Sequence, residues 1–197
     1  GLFNIKAMKH LWVAEESEFF IAMAALAGVL TTGLLKGVLI GAVISMLLLI
    51  RRASRPHVAF LGRIPGTKRY SDLERHPDNE SIPNVLIFRP ESGIVYFNAD
   101  HVRERVLARV RESQPPPRTV IGDLSAAPHV DLAGVEMLKE LAAELKTMDI
   151  DVRIVEARSK VRDRLRAEGF EDRAGRVDRF TTVHDAVEDM GDRASAN

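Results

Sequence analysis

The chain has 197 residues, 46% hydrophobic and 28% charged, and its 28 basic residues are balanced by 28 acidic ones. That balance excludes a disordered polyelectrolyte and leaves no overall basic footprint for nucleic acid. The absence of cysteine excludes disulfides, thiolate zinc sites and cysteine nucleophiles.

The charge is unevenly placed. Residues 1–56 hold six basic residues (Lys6, Lys9, Lys36, Arg51, Arg52, Arg55) and three acidic ones (Glu15, Glu16, Glu18), whereas 57–197 hold 22 basic and 25 acidic. Two physical environments are implied. The first residue is Gly rather than Met, so the chain reads as a fragment or a processed product.

Residues 2–12, LFNIKAMKHLW, place Leu2, Ile5, Met8 and Trp12 on one helical face and Lys6, Lys9 and His10 elsewhere. This is the pattern of an interfacial helix with a Trp anchor, expected over residues 1–16. Two uncharged apolar runs follow, 19–35 and 37–50, separated by Lys36. One straight helix over 19–50 would be about 48 Å long, against a hydrocarbon core of about 30 Å. Two crossings put the basic residues before and after the runs on one, cytoplasmic, side. Two transmembrane helices are therefore expected within 17–55, with Gly33, Lys36 and Gly37 forming the outer turn. Gly28, Gly33, Gly37 and Gly41 allow close backbone approach, which suits packing inside a larger bundle. Neither run contains a charged residue or a histidine that could relay protons.

Pro56 ends the second membrane helix, because the residue before a proline is pushed out of the helical region. The rest, 56–190, reads as one soluble domain. Strands are expected at 57–64 (HVAFLGRI), 84–90 (NVLIFRP), 94–97 (IVYF), 119–124 (TVIGDL) and 151–156 (DVRIVE). Asn98 is the expected cap of a helix from Ala99 to about Glu112, with Val102, Val106 and Val110 on one face. Asp131 is the expected cap of a helix to about Met148, with Val135, Leu138, Leu141, Ala142 and Leu145 facing inward. Val161, Leu165 and Phe170 mark a short helix ended by Gly169. A strand or turn at 176–181 and a last helix at 183–190 complete the domain. The tail 191–197 reads as disordered. The alternation predicts an α/β domain with a mixed, largely parallel sheet flanked by helices.

The most informative stretch runs from Asp123 to Gly134, DLSAAPHVDLAG. A strand ends in one Asp, a short loop follows, and a second Asp opens a helix. The first-turn N–H groups of that helix face the loop and could hold an anion, while simple capping by Asp131 explains the same residues. The six histidines lack metal-ligand spacing, and no nucleophile–base–orienter set can be read. No catalysis, metal or cofactor is expected. Arg103, Arg105, Arg109 and Arg111, interleaved with Glu104 and Glu112, read as a solvated helix face.

The stretch resembles the signature of STAS domains, D-x-S-x-(V)-x-x-(I/V)-D-(S)-(S/T)-G at a strand–loop–helix junction. Asp123, Ser125, Asp131 and Gly134 match. In bacterial anti-sigma-factor antagonists the serine before the final glycine is a phosphorylated switch; Ala133 stands at that position and has no hydroxyl. The flanking chain, with its apolar block, RRASRPHVAFLGRIPGT and the Arg69-Tyr70-x-Asp72 pair, resembles the junction of SulP-type anion transporters. There the last two membrane helices run into a cytoplasmic STAS domain. Lys36 departs from the proline or uncharged turn residue expected there.

This resemblance implies the C-terminal part of a secondary transporter of sulfate, bicarbonate or related anions, sited in the inner (plasma) membrane. It implies a homodimer in which the STAS domain serves assembly and regulation, with an upstream transporter core as partner. The anion site between half-helices would lie before Gly1. Asp123, Ser125, Asp131, Ala133 and Gly134 form the candidate regulatory loop, with a cytoplasmic protein or a nucleotide as its candidate ligand and no nucleic acid. The alternative is a free-standing, membrane-tethered STAS module that regulates by protein interaction.

Overall fold

In the computed structural model the described residues are 33–195, together with Met23 and Gly28. The interfacial helix expected at 1–16 and most of the first apolar run lie outside them. The chain divides between Ala53 and Ser54 into two units.

The first unit contains helix α1 (Leu34–Ser54). Among the described residues it is the one helix long and apolar enough to cross a membrane, and its 20 residues from Leu35 to Ser54 span about 30 Å. Leu35, Leu39, Met46, Leu47 and Leu49 are exposed, as expected of a surface meant for lipid or for other helices rather than water. Arg51 and Arg52 lie in the last turn, where the helix dipole favours cations. Lys36 and Gly37 do not belong to a turn: both lie in the first residues of α1, and the Gly37 N–H donates to the Gly33 carbonyl at 3.0 Å. Gly33, directly before α1, has φ +91°, a conformation that a residue without a Cβ adopts without strain. Gly28 is helical and approaches this start closely. A Cβ placed on it would lie 3.2 Å from Gly37 Cα. The helix stops at Ser54, two residues before Pro56, as the proline requires.

The second unit is built on a five-stranded sheet in the order β2-β1-β3-β4-β5. The strands are β1 (Val58–Arg63), β2 (Tyr70–Asp72), β3 (Val85–Pro90), β4 (Thr119–Asp123) and β5 (Asp151–Val155). β1 pairs antiparallel with both β2 and β3, while β3, β4 and β5 run parallel. The parallel half follows from its connections, α2 (Ala99–Glu112) between β3 and β4 and α3 (Leu132–Thr147) between β4 and β5. After β5 come α4 (Ser159–Ala167), the single turn α5 (Glu171–Ala174) and α6 (Val183–Ser195).

Alternation along the strands fills both faces of the sheet. Val58, Phe60, Leu86, Phe88, Val120, Val152 and Ile154 join the larger core under α2, α3 and α4, where Val102, Val106, Val110, Leu138, Leu141, Leu145, Val161 and Leu165 are buried. The in-between residues Ala59, Leu61, Ile87, Ile121 and Val155 meet Val183 and Ala186 of α6 on the other face. Arg105 and Arg109 of α2 stack over the Phe60 ring at 5.9 and 5.5 Å from its centroid.

Three sequence expectations for this unit need correction, and one strand goes unread. Residues 94–97 form no strand: Ile94 makes an isolated parallel bridge with Val130, and 96–98 form a turn into α2. β2 goes unread because three residues carry no recognisable period. Asn98 precedes α2 but does not cap it through its side chain; its Oδ1 accepts from Val95 N–H at 2.8 Å and its Nδ2 donates to Gly93 O at 3.0 Å. Finally, α6 continues past Met190 to Ser195, into the segment read as disordered. Thr182 and Asp185 start it reciprocally: Asp185 Oδ2 accepts from the Thr182 N–H at 2.9 Å and Thr182 Oγ1 from the Asp185 N–H at 3.2 Å. Once nucleated, a helix gains one bond per added residue.

Candidate regulatory loop

The loop between β4 and α3 hangs from two aspartates. Asp123 closes β4 and is 4% exposed. Its Oδ1 accepts from the Ser125 N–H at 2.9 Å, and its Oδ2 lies 3.9 Å from Arg89 Nη1 at the end of β3. Ser125 is held by its backbone, since its carbonyl also accepts from Arg158 Nε at 3.3 Å. The Leu124 N–H donates to Val155 O at 3.0 Å, and the Ala127 N–H to Leu124 O at 3.1 Å. Leu124 and Ala127 are fully buried, so the loop's first half is anchored from below by apolar contact.

Asp131 anchors the second half. Its Oδ1 accepts from the Gly134 N–H at 2.8 Å, satisfying one of the free donors at the start of α3. Its Oδ2 accepts from the Tyr96 N–H at 2.9 Å. The backbones of the two segments also join: Ile94 N–H to His129 O and Asp131 N–H to Ile94 O, both at 3.1 Å. Gly134 is required by this closeness, because a Cβ there would lie 2.7 Å from Ile94 O and 2.8 Å from Val130 Cγ1. Ala133 is half-buried, and Leu132 beside it is 49% exposed.

The five sequence-selected residues thus fall in two pairs and one neighbour. Asp123 bonds Ser125, Asp131 bonds Gly134, and Ala133 sits in the first turn of α3. The sequence reading missed Tyr96, whose N–H completes the Asp131 carboxylate, and Arg89 and Arg158, which flank Asp123 and Ser125. It also missed Glu156, which follows β5 at φ +57°. Partial desolvation and the Asp123 charge raise the Glu156 carboxyl above its ordinary range, against a bond from the Val183 N–H that lowers it. The Asn98 signal pointed to this region without revealing that its side chain fixes the preceding turn.

An aspartate-hung loop thus joins a parallel strand to a helix on a mixed five-stranded sheet. The STAS domain family model matches residues 76–186, and the chain belongs to that family. It is 30% identical over 204 residues to "High affinity sulfate transporter 2" of Stylosanthes hamata, covering 100% of this chain and 31% of that protein. It is 32% identical over 195 residues to "Sulfate transporter 1.1" of Arabidopsis thaliana, covering 95% of this chain and 30% of that protein. The chain therefore spans less than a third of these relatives. Among solved structures, the murine Solute Carrier 26 family member A9 anion transporter superposes with a TM-score of 0.79 at 22% identity, over 96% of this chain and 30% of that one. The SulP transporter STAS domain from Vibrio cholerae superposes with a TM-score of 0.50 at 20% identity, over 64% of this chain and 94% of that one. An apolar helix followed by a STAS domain matches the C-terminal part of a SulP-family transporter.

Proposed function

We propose that the chain is the C-terminal portion of a secondary anion transporter of the sulfate or bicarbonate class, and that its STAS domain serves assembly and regulation rather than catalysis. The observation that carries this reading is the order of parts: sulfate transporters match essentially the whole chain, including the exposed apolar α1 that runs directly into the domain. In this reading α1 and the apolar run before it cross the membrane as a hairpin. The left-handed Gly33 and the approach of Gly28 to Gly37 support it. The basic residues at both ends of the hairpin then lie in the cytoplasm, with the STAS domain, beneath the inner (plasma) membrane. The partners are the bilayer, the upstream transporter core and a second copy of the chain.

The anion site lies outside this chain, because such sites are formed by broken helices near the bilayer middle. The loop residues Asp123, Ser125, Asp131, Ala133 and Gly134 present a contact surface to a cytoplasmic protein or a nucleotide. Ala133 cannot accept a phosphate, so regulation acts through binding at the loop, and this weighs against a phospho-switched antagonist. The test is reconstitution. Proteoliposomes with the complete gene product containing this chain should take up sulfate or bicarbonate saturably, while those with this chain alone should not. Saturable uptake by the chain alone, or no uptake of either anion by the complete protein, overturns the proposal.

A further inference from the structure

The beginning of the second unit is fastened by a pair that the loop does not involve. His57 Nε2 lies 2.8 Å from Asp72 Oδ2. The two side chains are unequally placed: Asp72 is 8% exposed and His57 41%. The carboxylate is withdrawn from water while the imidazole remains open to protons.

Each partner is tied to further backbone. Asp72 Oδ1 accepts from the Glu74 N–H at 2.9 Å, and the Asp72 carbonyl from the His76 N–H at 2.9 Å. The His57 carbonyl accepts from the Glu91 N–H at 3.0 Å. The pair thus joins three segments: the lead into β1, the turn after edge strand β2, and the chain leaving β3. His57 is the third residue after the end of α1.

We propose that His57 and Asp72 form a pH-sensitive latch at the entrance to the domain, tight when the imidazole carries a proton and looser when it has lost it. A neutral imidazole still donates one N–H to the carboxylate. A charged one makes a charge-assisted bond, roughly twice as strong. Burial pushes the Asp72 carboxyl up, but the bonds from His57 and the Glu74 N–H, with the charges of His57 and Arg75, hold it below its usual value. Those bonds and charges favour the ionised form of Asp72.

Other charged groups near the pair have partners of their own. Glu74 faces Arg105 of α2 at 3.7 Å, and Glu91 faces Arg89 of β3 at 2.8 Å. Imidazole is the side-chain group whose charge changes between about pH 5 and 8; here His57 puts a ring nitrogen on Asp72, while His76 contributes its backbone N–H. The latch is a property of the domain and holds whether or not the transport reading does.

The test uses the full chain in phospholipid nanodiscs. Amide hydrogen exchange is measured at about pH 5.5 and about pH 8 and corrected for intrinsic base catalysis. The Glu74 and Glu91 amides should open roughly fivefold more often at the higher pH, while the Val120 and Ile121 amides of β4 keep their protection. His57→Gln, which retains a neutral donor, should abolish the pH response with the fold intact; His76→Gln should leave it in place. A wild-type chain with no pH response at Glu74 and Glu91, or a response that survives His57→Gln, overturns the latch.

Discussion

The Asp131 carboxylate accepts the N–H of Tyr96, 35 residues away in sequence, at 2.9 Å, while its other oxygen caps α3. One side chain therefore fixes both the start of a helix and its distance from the turn before α2. This is why the loop from Asp123 to Gly134 has a defined shape despite its lack of regular structure.

Replacing Asp131 by Ala removes both bonds and leaves the Tyr96 and Gly134 donors unmatched. The expected loss is about 2 kcal/mol of domain stability. Asp131→Asn retains an acceptor for one donor and should lose less. Urea unfolding followed by circular dichroism separates the two variants; equal loss would mean that the bond Asn retains contributes nothing.

Gly134 and Ala133 are neighbours with opposite tolerance. A methyl at Gly134 would meet the Ile94 carbonyl at 2.7 Å, and backbone cannot move aside as a side-chain tip can. Gly134→Ala should destabilise by about 1–3 kcal/mol. Ala133→Glu instead adds a carboxylate in the first turn of α3, where the helix dipole favours it by roughly 0.3–1 kcal/mol. The Ala133→Glu domain should stay folded, with transport by the complete protein altered. A folded variant with unchanged transport across anion concentrations would make the loop purely structural.

Acid should loosen the segment between α4 and α6. Glu171 Oε1 accepts from Val177 N–H at 2.9 Å and from Arg166 Nε at 3.0 Å, and these bonds lower its pKa. Asp178 is lowered by the N–H groups of Thr181 and Phe180, at 2.8 and 2.7 Å. Both folded values lie below the unfolded ones, so the stabilisation is fully present above the unfolded values of about 4.3 and 3.9. It is lost as pH falls through the folded values. Glu171→Gln and Asp178→Asn should each flatten the acid limb of a stability-against-pH curve and leave the neutral region less affected by further acidification. An unchanged acid limb in both variants would show that these carboxylates do not couple folding to pH.

The proposed hairpin makes a topological prediction. With every other residue unchanged, a cysteine replacing Lys36 in the complete protein should react with a membrane-impermeant thiol reagent added to intact cells, because the proposed hairpin puts Lys36 at its outer end. A cysteine replacing Arg55 should react only after permeabilisation. The opposite pattern would place the STAS domain on the other side of the membrane.

Local chemistry made much of this protein legible from sequence alone. The spacing of Val102, Val106 and Val110, and of Leu138, Leu141 and Leu145, is a helical period that each segment carries within itself, and those residues are buried. The Asp131 cap and the break at Pro56 are likewise short-range, set by atoms within a few residues. The apolar runs of β3 and β4 identified strands in the same way. What the tertiary structure alone decided involves partners far apart in the chain. Residues 94–97 have the composition of a strand, yet Ile94 finds Val130 and the next residues turn, because the Asn98 side chain bonds Val95 and Gly93 there. Edge strand β2 exists because β1 offers it a partner, and Asp72 is buried because His57 reaches it across 15 residues. Periodicity and capping act over one or two turns and leave a mark in the sequence. A hydrogen bond between distant segments leaves none until the sheet has brought its two ends together.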